Sequence, residues 1–395
     1  MPLLEPGSRR ATIDDTALLA ALVRTEAAWL QALAASGLLK HEQISSATLE
    51  TIPVRLRDED VEATGNPVPA LVDQLRAGIN DPDVASMLHV GLTSQDTLDT
   101  ALMLIARDAL DQVTSALAAT AGALAALADE HRGSVMAGRT LTQYAVPVTF
   151  GLKAAQWLVG VLDAADAVTA VRRSLPVQCG GAAGTLSRAA DLVADPLQLV
   201  AAFAQELGLA RPDLPWHTRR TPVLRLADAL GETLAALGVL ASDILLLGRP
   251  EIAEVREMPA EGTGRSSTLP HKQNPVLAVL VRSAALQGPQ LVAQLHLSAA
   301  LAVDERPDGA WHAEWPALRR LLTLAVVASS QAADLIPTLS VDTAAMSRRV
   351  EEAADELLAE RRRDEPGPPS SYLGAADAFV EAALRRYFDT SGVER

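Results

Sequence analysis

The residues best suited to chemistry in this chain share one loop, GTGRSSTLPHKQNP, over Gly262–Pro275. Ser266 and Ser267 offer hydroxyls, Lys272 a fixed cation, Asn274 an amide donor and His271 an imidazole. A serine hydroxyl is a weak base, so Ser266 takes a proton only where donors or cations stabilise the alkoxide. Gly262, Gly264, Pro270 and Pro275 exclude a helix interior, whereas VLAVLVRSAALQ straight after returns to apolar helical spacing. A polar loop of this kind between long helices suits a catalytic lid better than a plain linker. His271 alone reads rather as a structural hydrogen-bonding residue.

Two further clusters interrupt the apolar pattern. In His89-Val-Gly-Leu-Thr-Ser-Gln-Asp96, Thr93 and Asp96 match a capping box at a helix start. Capping leaves His89, Gly91 and Gln95 unexplained, and a helix N-terminus also attracts anions, so structural and functional readings balance here. In Gly138-Arg-Thr-Leu-Thr-Gln143, Arg139, Thr140 and Gln143 sit at a turn leading toward a helix. Arg139 can grip a carboxylate with two parallel N–H donors, although a surface ion pair is its plainer reading.

The elements that must position these clusters are helical. Apolar residues recur every three or four positions over Thr16–Leu38, Asp96–Ala128, Val148–Val171, Ala189–Leu207, Leu224–Leu247, Val276–Ala302 and Ala317–Leu335. Long amphipathic helices need long partners, which predicts an all-α fold around a central bundle. Strand-like alternation is nearly absent. Turn signals divide the chain into a helical region over 1–95, a long-helix region over 96–336 and a short helical region over 337–395.

The bulk composition narrows the function. A net charge of −15 argues against a nucleic-acid partner. The apolar stretches read as too short and alanine-rich to span a bilayer, and the N-terminus lacks a secretory pattern. The single cysteine, Cys179, allows no internal disulfide. A soluble, cytoplasmic protein is expected. No metal-binding pattern, Walker loop or dinucleotide fingerprint occurs, so neither metal nor cofactor is expected.

Together and in order, GRSSTLPHKQNP, TSQD and GRTLTQ resemble the active-site regions of the fumarase/aspartase superfamily, over most of the chain. HVGLTSQDTLDTAL, AGRTLTQYAVPVTFGLKAAQW, GAWHAEWPALRRL and YLGAADAFVEAAL resemble its bacterial 3-carboxy-cis,cis-muconate cycloisomerases. The resemblance implies a homotetramer with a twenty-helix core and sites shared by three subunits. It casts Ser266 as the proton-transferring group and Lys272 and Asn274 as stabilisers of an electron-rich carboxylate. His89, Thr93, Ser94, Gln95, Arg139, Thr140, Gln143, Ser267 and Arg306 would hold a small tricarboxylate substrate of protocatechuate breakdown.

Adenylosuccinate lyase-like members carry histidine directly after GRT and another in an HDV-like segment. Here Leu141 and Asn66 stand in the comparable places. Lactonisation needs no acid for its carboxylate group, which favours the cycloisomerase reading. A C–N or C–O lyase acting on a succinate-like substrate is the alternative, and an inactive helical scaffold is a reading of another class. Two departures stand out: Arg265 occupies a position usually held by glycine, and AERRRDEPGPPSS between Leu358 and Tyr372 replaces a longer helical stretch.

Overall fold

Low aromatic content leaves Ala, Leu and Val to pack the interior, and small side chains let helices lie close together. A computed structural model describes residues 2–40, 49–258, 263–269, 271–361 and 367–392. Its main helices are α1 (Asp15–Ala35), α2 (Ser94–Glu130), α3 (Phe150–Ser174), α4 (Thr221–Leu247), α5 (Val276–Ala300), α6 (Gly309–Leu335) and α7 (Ala376–Ser391). Helices α2 to α6 pack side by side as the central bundle, with α1 against the first part of α2 and α7 against α2 and α3. The all-α expectation holds, and the long helices fall close to the periodic stretches.

Local chemistry sets their ends. Asp14 accepts from Ala17 N–H at 2.9 Å to start α1, and Thr149 accepts from Leu152 N–H at 3.1 Å to start α3. The helix expected over 189–207 is instead two, Ser187–Leu192 and Pro196–Leu207. Asp195 caps the second one and Pro196 opens it.

Two expectations need correction. The GRTLTQ segment is no turn into a helix; it is the tip of a β-hairpin of β1 (Val135–Thr140) and β2 (Gln143–Thr149). Leu141 and Thr142 take φ of 49° and 70°, the left-handed pair that a two-residue hairpin turn needs. A second small pairing joins β3 (Val255–Glu257) to β4 (Leu339–Val341). Secondly, six helices, α2 to α6 among them, are long and apolar enough by length and composition to cross a membrane. The apolar runs are therefore not too short to span. Here they pack on one another and bury charged groups such as Asp99, Arg220 and Glu314.

Candidate functional site

At one end of the bundle α2, α4 and α6 begin, and their first turns are tied by buried polar groups. Asp96 is fully buried and accepts from Thr93 N–H at 3.0 Å, Gly180 N–H at 2.9 Å and Gly181 N–H at 2.8 Å. His217 Nε2 lies 2.8 Å from its Oδ1. One turn further along α2, Asp99 receives Arg220 Nη1 at 2.7 Å and Trp311 Nε1 at 3.0 Å. Arg220 Nη2 also reaches Glu314 at 2.7 Å. Burial works against the Arg220 charge, but Asp99 and Glu314 outweigh it and raise its pKa. Burial raises the Glu314 carboxyl, only partly offset by Arg220.

Gln95 belongs to this buried network. Its side chain is fully buried and donates to the His217 carbonyl at 2.9 Å and to Asp99 at 3.3 Å. Ser94 is half-buried and Thr93 barely exposed, both at the first turn of α2. His89 is mostly buried, with Nδ1 2.7 Å from Glu26 Oε1. Arg306 is exposed near the start of α6, its guanidinium 5.9 Å from the Trp311 ring.

The opposite end carries the hairpin and the loop. Thr140 and Gln143 are exposed beside the hairpin tip, and Leu141 is 96% exposed. Arg139 is engaged: its two terminal nitrogens meet the buried Glu254 carboxylate at 3.0 and 2.9 Å. Glu254 directly precedes β3. Glu257, at the end of β3, caps α5 by accepting from Leu277 and Ala278 N–H, each at 3.0 Å. Both stems of the loop are thereby pinned to rigid elements.

Within the loop, Gly262 and Pro270 lie outside the described residues. Gly264 takes φ of 70°, and its carbonyl accepts from Asn274 N–H at 2.9 Å and Asn274 Nδ2 at 3.2 Å. Asn274 thus closes the loop. Ser266 Oγ accepts from Thr268 N–H at 3.3 Å and Leu269 N–H at 3.1 Å. Two backbone donors aimed at one hydroxyl oxygen stabilise negative charge there, as in an oxyanion hole. Ser267 and Lys272 are exposed, and Lys272 makes no ion pair among the described residues.

The expected residues therefore fall into two groups. His89, Thr93, Ser94, Gln95 and Arg306 share one end; Arg139, Thr140, Gln143, Ser266, Ser267, Lys272 and Asn274 share the other. Helix α2 has 37 residues. At 1.5 Å per residue the two ends stand about 55 Å apart. A single chain cannot bring them to one substrate.

Sequence reasoning missed Glu26, Asp99, His217, Arg220, Glu254 and Glu314. A signal existed for some. Asp99 follows Asp96 by three positions on a helix, and Glu26 interrupts the apolar run AAWLQALAA from its N-terminal side. His217 and Arg220 lie in the irregular crossing RPDLPWHTRRT, which shows no spacing that points to partners.

Comparison with known proteins identifies the family. The lyase family profile matches residues 18–288. The chain is 44% identical to nitrosuccinate lyase of Streptomyces davaonensis, over 89% of this chain and 76% of that one. It is 35% identical to 3-carboxy-cis,cis-muconate cycloisomerase of Bradyrhizobium diazoefficiens, over 98% of this chain and 86% of that one. The crystal structure of 3-carboxy-cis,cis-muconate lactonizing enzyme from Pseudomonas putida superposes with a TM-score of 0.86 at 31% identity, covering 98% of each chain. On these matches the chain is an enzyme and belongs to the fumarase/aspartase family of lyases.

Proposed function

We propose that this enzyme catalyses addition–elimination beside a carboxylate of a small polycarboxylic acid, with a weakly basic anion as the group that leaves or attacks. The observation that carries the reading is a serine oxygen already held by two backbone N–H groups, on a chain whose hairpin tip offers Leu141 in place of an acid. Such a site can move a proton at carbon but has no imidazole at that tip to protonate an amine or hydroxyl on departure. Nitrite and carboxylate need no such proton.

The 44% identity with nitrosuccinate lyase favours nitrite as the anion. Ser266 would remove a proton from the carbon next to one carboxylate of nitrosuccinate, Lys272 would stabilise the electron-rich carboxylate, and nitrite would leave to give fumarate. Likeness to the cycloisomerases over nearly the whole chain favours a second substrate, 3-carboxy-cis,cis-muconate. There the substrate's own carboxylate adds to the double bond, held over it for rate, and Ser266 returns the proton to carbon. The two reactions share one proton position and one type of departing or attacking anion.

The site is assembled from neighbouring subunits of a homotetramer in the cytoplasm. The 55 Å separation is one support. The face of α5 is another: Leu286 is 70% exposed and Leu297 is 56% exposed, an apolar stripe on a helix of the central bundle. Purified enzyme is to be given nitrosuccinate, with nitrite measured by colour, and 3-carboxymuconate, with loss of diene absorbance followed. Turnover of neither, with adenylosuccinate or argininosuccinate consumed instead, would overturn the reading.

A further inference from the structure

Glu26 is a fully buried carboxylate in the middle of α1, far from the loop and the hairpin. A buried carboxylate is costly unless it is paired. Its Oε1 accepts from Thr97 Oγ1 at 2.8 Å and lies 2.7 Å from His89 Nδ1. Its Oε2 is buried without a hydrogen-bond partner among the described residues. The contact thus concentrates on His89.

The turn that carries His89 is held from several sides. His89 takes φ of 64°, a left-handed conformation that non-glycine residues keep only where their surroundings enforce it. Arg76 Nη2 donates to Leu88 O at 3.2 Å, and Trp29 Nε1 donates to Val90 O at 2.9 Å. With Nδ1 engaged by Glu26, the ring's other nitrogen makes no hydrogen bond among the described residues, and 19% of the side chain stays exposed. Four residues on, Thr93 and Ser94 open α2.

We infer that Glu26 is a positioning residue: it holds His89 as the imidazolium, with Nδ1–H toward the Glu26 carboxylate, and so presents Nε2–H to a substrate carboxylate at the start of α2. A carboxylate behind the ring favours its charged form and fixes its orientation in this way. The inference rests on the proposed polycarboxylate substrate and names the group that receives one end of it.

The charged groups facing His89 agree. Burial lowers its pKa, but Glu26 on α1, by charge and hydrogen bond, and Asp96 on α2 outweigh burial and Arg76 on the Val68–Gly78 helix, so the net shift is upward. A raised pKa keeps the ring charged below it, and charge-assisted binding is lost as pH rises through it.

The test uses the full-length enzyme and two readouts. Imidazole nitrogen NMR, with His89→Gln to assign the signal, reports the His89 tautomer and titration without any substrate. Fumarate titration reports carboxylate binding without turnover. We expect wild-type His89 to carry protons on both Nδ1 and Nε2 when charged, to titrate above an ordinary histidine, and to shift at Nε2 when fumarate binds. Glu26→Gln should move that titration to lower pH, weaken fumarate about 10-fold, and raise KM with kcat changed far less. A wild-type His89 that is neutral, in either tautomer, at the pH of the binding assay, or a folded Glu26→Gln that binds fumarate normally, would overturn the inference. Should Glu26→Gln fail to fold, the wild-type protonation state still decides. Should the wild type turn over neither proposed substrate while the NMR signature appears, the substrate reading fails and the role of Glu26 stands.

Discussion

Two inactive variants of this enzyme should restore one another when mixed. Ser266→Ala removes the oxygen proposed to transfer the proton at the loop end, and Arg306→Ala removes an exposed guanidinium at the opposite end. Loss of a positioned general base lowers turnover about 10²–10⁴-fold. Loss of one charge-stabilising donor lowers it about 10²–10³-fold. Both positions are at most half-buried, so each variant should keep its fold, checked by circular dichroism and thermal unfolding.

The magnitude follows from the length of α2. With the ends about 55 Å apart, a site that uses both residues draws them from different chains. In oligomers reassembled from equal amounts of the two variants, each site has an even chance of an intact Ser266 and an independent even chance of an intact Arg306. Roughly one quarter of wild-type activity should therefore return, far above either variant alone. The assay is partial unfolding of the mixture, refolding, and measurement of turnover per total protein. The double variant mixed equally with wild type gives a second reading: about one quarter if the site is split between chains, about one half if it lies within one. A mixture no more active than the mean of the two variants, with one half in the second arm, would refute the split-site argument.

Three other outcomes follow from the same geometry. Leu141→His places an imidazole at an exposed hairpin tip whose left-handed backbone histidine tolerates, so stability should change by less than about 0.5 kcal/mol. Steady-state kinetics should show no gain with nitrosuccinate or 3-carboxymuconate; a 10-fold rise in kcat would mean that departure does need an acid. Arg220→Met leaves Asp99 and Glu314 buried without their cation and should cost about 3–5 kcal/mol in urea unfolding, well beyond an ordinary surface change. Glu314 has a carboxyl raised above its ordinary 4.5 by burial, so its contribution is full below that value and declines as pH rises through the raised one. Unfolding measured from pH 4 upward should show that decline in the wild type and its absence in Glu314→Gln; parallel curves would remove Glu314 as its source.

What the sequence could disclose depended on the range of the interactions. Helix periods and caps act within a few residues, and so α2 and its Thr93–Asp96 start were legible, as was the irregularity of the Ser266 loop. The hairpin at 135–149 was not, because VMAGRT and QYAVPVT lack clean alternation, and Pro147 reads as a breaker although it sits comfortably on a two-stranded edge. The partners of the candidate residues were hidden for another reason. His89 and Glu26 lie 63 positions apart, and Arg139 and Glu254 lie 115 apart. Nothing local marks such pairs, since the cost of an unpaired buried charge is paid in the folded state alone.

The division of the site differs from both cases, because the means to find it were present in the sequence. Residues 94 and 139 flank a periodic stretch that reads as one helix, and an uninterrupted helix is a ruler of fixed rise. Once α2 is accepted as continuous, TSQD and GRTLTQ must stand apart by its whole length. The motifs' order along the chain, which suggests a single pocket, is then evidence for several chains around one. On the proposed assembly, a chain of net charge −15 would gather cations only where neighbouring chains meet. Arg306 at one end and Lys272 at the other need not repel or compete within a subunit, and their fields add only where a neighbouring chain brings them together. On the proposed assembly, each chain would contribute one end to one site and the other end to another. Assembly so proposed would supply the electrostatics as well as the geometry.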